Sequence, residues 1–181
     1  MATHVHRMTT DRLPMLDLTV DVGVLMSGFD LGDPIHSIVS QGLIHSIETN
    51  DPECVQVVMD DEDCIEHSYV SKLGDVGRKW IQLLGSQNKI KYVKRARVPR
   101  NIAAQLRDLH LDPEDYKYYV RTSASSYSGL LVSHDPHYSP KIKQVLSKGL
   151  NVHVVAADDA QSRVDAECLE PLLEAEVAGG S

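Results

Sequence analysis

The sequence predicts an α/β fold with a central, mostly parallel sheet. Short apolar runs at 16–20, 55–59 and 129–133 have the length and composition of strands that are buried on both faces. Segments with helical spacing of apolar residues separate these runs, as expected when crossover helices join parallel strands. The chain has 181 residues, of which 42% are hydrophobic, so one domain with a sizeable core is expected.

The first 14 residues are predicted to be a flexible leader. They lack the apolar core of a signal peptide. No apolar stretch in the chain approaches the roughly 18 to 20 residues that cross a bilayer. We therefore expect a cytoplasmic protein without a membrane partner.

The first predicted strand covers residues 16–26 and enters a turn at Gly23. A crossover helix is expected to follow, with Asp33 as its N-cap and Pro34 at its first position. The apolar residues of this helix recur at helical spacing and predict its buried face: Ile35, Ile38, Val39, Leu43, Ile44 and Ile47.

The second strand, 55–59, is followed by a run of acidic residues. Asp60 is predicted to cap the next helix, with the acids at 61–63 in its first turn near the positive end of the helix dipole. Glu66 would lie about one and two-thirds turns beyond that cap, out of reach of the terminal N–H groups. Helix capping therefore does not explain Glu66, and another role is needed.

The helix that contains Glu66 is expected to relax near Gly74 and Gly77 and then to resume. Its second part offers three core candidates, Trp80, Leu83 and Leu84. A short helix is predicted at about residues 101–109. The next helix starts at Asp112, the N-cap, with Pro113 at the first position and Asp115 in the first turn.

The strand at 129–133 is followed, after His134, by Asp135. The helix after it is predicted at 141–149, with Gly149 as its C-terminal stop, and a last strand is predicted at 151–157. A helix that packs beside its following strand brings its N-terminal residues back toward the carboxyl end of that strand. Asp115 should therefore lie near Asp135, and near Asp21 if the two strands are neighbours.

Four carboxylates are thus predicted to meet at one edge of the sheet: Asp21, Glu66, Asp115 and Asp135. Open α/β sheets bind ligands at the carboxyl ends of their strands. Four acids placed together would repel one another strongly, and hard divalent cations choose oxygen ligands. We expect all four to hold Mg²⁺ or Mn²⁺.

A basic segment at 89–100 has six bases in twelve residues and no acid. It is predicted to contact the phosphates of a nucleic-acid backbone, and the candidate residues are Lys91, Lys94, Arg95, Arg97 and Arg100. The alternative is a solvated loop or an edge strand that its lysines protect from aggregation.

The net charge of −8 comes largely from the C-terminal tail, 158–181. Residues 158–176 hold seven acids against the single Arg163. The tail is predicted as a polar helix or a partly disordered segment, which either shields the basic segment or packs on the core. The three cysteines, Cys54, Cys64 and Cys168, share no short metal-type spacing and are expected to be reduced thiols.

Three segments of the chain resemble PIN-domain nucleases. VDVGVLMSGF is similar to the opening strand and turn of that family, and MDDEDCIEHSYVSKL to its second strand exit, where a glutamate lies about six residues beyond a capping residue. DPEDYKYYVRTSASSYSGLLVSHDPHY resembles the C-terminal half, an aspartate at a helix start followed by a helix, a strand and a Ser/Thr-x-Asp turn. The resemblance covers about residues 16–157 and keeps the four acidic positions in order.

The resemblance implies a three-layer α/β/α sandwich over residues 15–157. It also implies a Mg²⁺- or Mn²⁺-dependent endoribonuclease that acts on single-stranded or structured RNA. The four acids would then be the catalytic metal ligands, and Ser133 would hydrogen-bond an acid or the phosphate. A homodimer and a protein regulator are left open as further partners.

The chain departs from the family at Val22 and Gly23, where a small polar residue often supports the metal site. This departure favours an alternative, a catalytically degenerate PIN-like module that binds RNA or a protein. A phosphotransfer or regulatory α/β domain is a further alternative, but the Asp-x-Asp typical of aspartyl-phosphate chemistry is interrupted by Gly23. His134 and His137 flank Asp135 and are candidates for substrate contact or proton transfer rather than for metal ligation.

Overall fold

A computed structural model describes residues 16–178, and the side chains of residues 16–168. The predicted leader at 1–14 lies outside this range. The described residues contain one parallel sheet made of β1 Leu16–Val20, β2 Val55–Asp60, β3 Ile90–Val93, β4 Leu130–Val132 and β5 His153–Val155. The strand order is β3-β2-β1-β4-β5. The predicted α/β class with a parallel sheet is therefore confirmed.

Helices cover both faces of the sheet and complete a three-layer α/β/α sandwich. They are α1 Val22–Gly28, α2 Ser37–Thr49, α3 Cys64–Leu73, α4 Asp75–Ser86, α5 Arg100–Asp108, α6 Pro113–Asp115, α7 Arg121–Ser123, α8 Pro140–Leu150 and α9 Ala157–Ala178. A 3₁₀ turn, Pro34–His36, precedes α2, and a π-helical turn, Tyr116–Val120, joins α6 to α7. Within the described range, no helix is both long and apolar enough to cross a membrane.

The centre of the sheet is the place where the chain changes direction. From β1 the chain moves to β2 and β3 on one side, and later to β4 and β5 on the other. The two strands that flank this switch point, β1 and β4, pair in parallel. Just beyond β1, the N–H of Asp21 donates a hydrogen bond of 2.9 Å to the carbonyl of Val132 in β4. Such a switch point opens a crevice at the carboxyl ends of the strands.

The first predicted strand, 16–26, is too long. The strand ends at Val20, and residues 22–28 form α1 rather than a continuing strand with a turn at Gly23. The physical reason is Asp21, whose side chain accepts a hydrogen bond from the N–H of Gly23 and caps the new helix. This cap overrides the strand preference of the β-branched residues that follow.

The crossover helix begins as predicted, with Asp33 accepting a hydrogen bond from the N–H of Ile35. Its predicted buried face is wrong at the N-terminus, where Ile35 and Ile38 are 81% and 83% exposed. The crossover helix starts with a 3₁₀ turn, which has three residues per turn instead of about 3.6. The first apolar side chains are therefore rotated away from the core. Farther along α2, Leu43, Ile44 and Ile47 are buried as expected.

Two predictions for the later helices are partly wrong, namely the burial of Leu83 and the end of α8. Gly74, with a φ of 60°, separates α3 from α4, and Trp80 and Leu84 are buried, but Leu83 is 40% exposed. Gly149 does not stop α8, which continues to Leu150. Asn151 ends it instead in the left-handed conformation, with a φ of 53°, a position that asparagine tolerates.

The expectation of three reduced cysteines is wrong, because Cys54 and Cys168 form a disulfide with their Cα atoms 5.6 Å apart. Cys64 remains a free thiol. The disulfide fastens α9 beside β2, and α9 packs along α2 with Ala160 and Val164 buried. The first part of the predicted acidic tail is therefore a helix whose apolar side faces the core.

Candidate metal centre

Three of the four predicted acids lie together at the carboxyl edge of the sheet. Asp21, Asp115 and Asp135 each offer a carboxylate oxygen, and the three oxygens lie within 4.8 Å of one another. Asp21 follows β1, Asp135 follows β4, and Asp115 ends α6. The predicted meeting of these three acids at the switch point of the sheet is therefore confirmed.

Asp21 is the most buried of the three, with 7% of its surface exposed. Its Oδ1 accepts a hydrogen bond from the N–H of Gly23 at 3.0 Å, and its Oδ2 accepts one from the hydroxyl of Ser133 at 2.6 Å. Burial raises the pKa of Asp21, and these two hydrogen bonds oppose that rise because they favour the charged form. The carboxylate is held rigidly on two sides.

Ser133 connects two of the acids. Its hydroxyl donates to Asp21 and accepts a hydrogen bond from the N–H of Asp135 at 3.0 Å. Oδ1 of Asp135 accepts a hydrogen bond from the N–H of His137 at 2.7 Å and lies 2.9 Å from Nδ1 of the same residue. The turn after β4 thus fixes the backbone and the side chain of Asp135.

Asp115 is the acid of the cluster that has a buried carboxylate oxygen without a hydrogen-bond partner among the described residues. It lies in the first turn of a helix that Asp112 caps, as predicted, by accepting the N–H groups of Glu114 and Asp115 at 2.8 Å and 3.3 Å. Its Oδ2 is buried and receives no hydrogen bond from the described residues. Burial, followed by the charges of Asp21 and Asp135, raises the pKa of Asp115 to about 7.

Tyr138 is buried near enough to the acids for their charges to act on it, and it was not identified from the sequence. Its side chain is 3% exposed, and its hydroxyl has no hydrogen-bond partner among the described residues. Burial, followed by the charges of Asp115 and Asp21, raises the pKa of Tyr138 well above the usual range for tyrosine. The hydroxyl therefore keeps its proton and offers a donor beside the acids.

A cleft of about 800 Å³ opens in front of the three acids. Met26, Gly32, His36 and Lys72 line it together with His134 and His137. The rings of His36 and His134 are stacked, with their centroids 4.1 Å apart and their planes 7° from parallel. Sequence reasoning missed Met26, His36 and Lys72, because only the tertiary fold brings these residues to the acids.

Glu66 does not join the acid cluster, contrary to the sequence prediction. Asp60 caps the helix as expected, accepting the N–H groups of Cys64 and Ile65, but α3 begins only at Cys64. The residues at 61–63 form a turn that ends with Asp63 in the left-handed conformation, so Glu66 lies in the first helical turn. There its Oε2 accepts a hydrogen bond from the hydroxyl of Tyr92 at 3.0 Å.

The basic segment divides into residues with internal partners and residues that face solvent. Lys91 donates to Oδ2 of the fully buried Asp17 at 2.8 Å. Arg95 is 9% exposed and forms an ion pair with Glu62, while its guanidinium lies over the ring of Tyr118. The remaining three candidates, Lys94, Arg97 and Arg100, are exposed.

Part of this segment, β3, is the edge strand of the sheet, as one of the two interpretations of the sequence proposed. Lys91 and Arg95 therefore contribute to the fold, and the exposed bases are accessible to solvent.

No protein-family model, curated protein or solved structure matches this chain. The fold and the site define its class by themselves: an α/β/α protein whose switch-point crevice holds three acids that could bind a metal ion.

Proposed function

We propose that this protein is a divalent-metal-dependent phosphodiesterase that cleaves RNA, an endoribonuclease of the PIN-like type. The observation that carries the proposal is the meeting of Asp21, Asp115 and Asp135 within 4.8 Å at the switch point of the sheet. The choice of RNA as the substrate rests on the resemblance to PIN-domain nucleases.

The residues at the site fit Mg²⁺ or Mn²⁺. Hard cations choose oxygen ligands, and all three groups are carboxylates. The Oδ2 atom of Asp115 is buried and has no hydrogen-bond partner among the described residues. Burial, and after it the charges of Asp21 and Asp135, raises the pKa of Asp115, and a cation at this place would favour its charged form. When bound by these acids, the cation would offset charge that develops on the phosphate and favour deprotonation of the attacking water.

The side chains around the acids have separate tasks in this proposal. Ser133 fixes Asp21 and Asp135 in one arrangement through its two hydrogen bonds. Tyr138 offers its unpartnered hydroxyl as a donor to an oxygen at the acids. Lys72, which lines the cleft, attracts the phosphate backbone, as do the exposed Lys94 and Arg97.

A second candidate function is RNA binding without cleavage, because Glu66 lies outside the acid cluster. The chain places three acids rather than four at the site, and Val22 and Gly23 supply no polar side chain next to Asp21. These two features favour a PIN-like module that binds RNA without cutting it. The two functions share the fold and the binding cleft and differ in metal-dependent turnover.

The decisive experiment measures cleavage of a single-stranded RNA in Mn²⁺, in Mg²⁺ and in EDTA. We expect cleavage only with a metal ion, and a loss of about a hundredfold or more in Asp115→Asn, as is common when a group that stabilises developing charge is removed. Glu66→Gln is the matched control, since it removes one negative charge outside the cluster and should keep the wild-type rate.

RNA binding without metal-dependent cleavage in the wild type would favour the binding module. Cleavage that is equally fast in Asp115→Asn would contradict the assignment of the site.

A further inference from the structure

The stacked histidines occupy a wall of the same cleft. His36 ends the 3₁₀ turn before α2, and His134 lies one residue before Asp135. A hydrogen bond of 3.0 Å between a ring nitrogen of His134 and the hydroxyl of the buried Ser40 fixes the ring of His134. The pair is thus an aromatic surface held in place from two distant parts of the chain.

The geometry of the pair does not suit a metal ion. The described residues contain one group of three or more His, Cys, Asp or Glu side chains with converging ligand atoms, and it is the acid cluster. The two rings face each other rather than pointing their nitrogens at a common centre, and one nitrogen of His134 is engaged by Ser40.

The surroundings of the pair suit a flat, partly apolar group. Met26 and Gly32 line the same cleft as the two rings, and both histidines are half-buried rather than covered. A side-chain carbon added at Gly32 would lie 2.9 Å from the backbone nitrogen of Ser27, so the chain passes closely over α1 here and leaves no side chain in the cleft.

We propose that the His36–His134 pair is a nucleobase-binding subsite, on which one base of single-stranded RNA stacks beside the acid cluster. This inference rests on the proposed function, because the two rings line the same cleft as the acid cluster, where the RNA would bind. The subsite reads the π-face that every base offers, so it contributes affinity with little sequence preference.

The test measures binding rather than cleavage, with the full-length protein in EDTA. Fluorescence anisotropy follows two labelled single-stranded RNA octamers with the same phosphates, one with all its bases and one abasic. We expect His36→Ala to bind the base-containing octamer about tenfold more weakly, the loss typical of one stacking contact. His36→Phe keeps an aromatic face and should bind like the wild type.

Two controls separate stacking from general damage. His45→Ala removes an exposed histidine on α2 outside the cleft and should change nothing. The abasic octamer should bind weakly and equally to every variant. If His36→Ala does not fold, His36→Asn, which is polar and not aromatic, replaces it in the same comparison.

The subsite is overturned if the wild type binds no RNA, if the non-aromatic variants bind the base-containing octamer as tightly as the wild type does, or if they lose as much affinity for the abasic one. RNA binding that depends on His36 in a protein that never cleaves supports the subsite and contradicts only the nuclease. Cleavage without any effect of His36 contradicts only the subsite.

Discussion

Ser133 donates a 2.6 Å hydrogen bond to Oδ2 of Asp21, across the junction between the two central strands. The same hydroxyl accepts the N–H of Asp135, so one small side chain sets the spacing of two acids. Partners of this kind orient metal ligands and are worth about tenfold to a hundredfold in affinity.

Ser133→Ala should therefore weaken Mn²⁺ binding by about tenfold or more. It removes a hydrogen bond that lowers the pKa of Asp21, so the carboxyl becomes a poorer ligand near neutral pH. Isothermal titration with Mn²⁺ measures the change, and Ser162→Ala, which removes a hydroxyl that donates to a backbone carbonyl of α9, is the control. An unchanged affinity in Ser133→Ala would show that the hydrogen bond does not prepare the site.

The acid cluster should also set the pH dependence of stability in the metal-free protein. The pKa of Asp115 is raised to about 7 in the folded state, so between about pH 4 and pH 7 the folded protein binds more protons than the unfolded chain. The free energy of unfolding must then fall as the pH rises through this range, and level off above it. The raised pKa of Asp21 adds in the same direction.

Denaturant unfolding in EDTA at a series of pH values measures this slope. Asp115→Asn should reduce it and should be more stable than the wild type near pH 7, because a neutral amide replaces a repelled carboxylate. In the wild type, Mn²⁺ should remove most of the fall in the free energy of unfolding toward pH 7. The cation favours the charged carboxylates and stabilises the folded state by mass action. A slope in Asp115→Asn equal to that of the wild type would contradict this origin.

The sequence was sufficient to locate four of the five strands of the described sheet and three of the acids, because both depend on local patterns, whereas β3 was only one of two interpretations of the basic segment. Buried strands appear as apolar runs in the sequence. An acid one or two residues after such a run lies at the carboxyl edge of the sheet. Asp115 could be placed too, since Asp112 and Pro113 mark its helix start clearly.

Glu66 shows where local patterns stop being sufficient. Asp60 caps α3 across a three-residue turn, and the turn shifts the helix so that Glu66 points to Tyr92 instead of the acids. The Cys54–Cys168 disulfide and the His36–His134 stack join residues about a hundred positions apart, and no spacing rule in the sequence indicates either contact.

Two lysines of the basic segment should behave differently although they are three residues apart. Lys91→Ala leaves the fully buried carboxylate of Asp17 without its ion pair, so the free energy of unfolding should fall by roughly 1.5–3 kcal/mol, the range for hydrogen bonds to charged groups. Lys94→Ala changes an exposed side chain, and its stability should stay within about 0.5 kcal/mol of the wild type.

RNA affinity should depend on Lys94 more than on Lys91, which is the reverse of their effects on stability. Lys94→Ala should weaken binding and flatten its salt dependence, because a phosphate contact releases a counterion when it forms. Folded Lys91→Ala should bind with nearly the wild-type salt slope. Denaturant titration and anisotropy over a range of salt concentrations provide the two measurements, and a flatter slope in Lys91→Ala alone would move the substrate path toward β3.

The disulfide offers a way to decide what the C-terminal helix does. Cys54 and Cys168 are 114 residues apart in the chain, so the bond removes much of the freedom of the unfolded chain and should contribute about 5 kcal/mol in the chain-entropy description. Reduction, or the change Cys54→Ser, should lower the melting temperature markedly. Cys64→Ser removes the free thiol and should leave the effect of reduction unchanged.

RNA affinity then distinguishes a packed helix from an electrostatic shield. If the acidic helix covered the exposed bases, releasing its tether would raise RNA affinity at low salt and matter less at high salt. We expect Cys54→Ser to bind RNA like the wild type at both salt concentrations, because α9 packs along α2 with Ala160 and Val164 buried and a hydrogen bond from Ser46 to Asp165. Tighter binding by Cys54→Ser at low salt alone would identify the helix as a competitor of RNA.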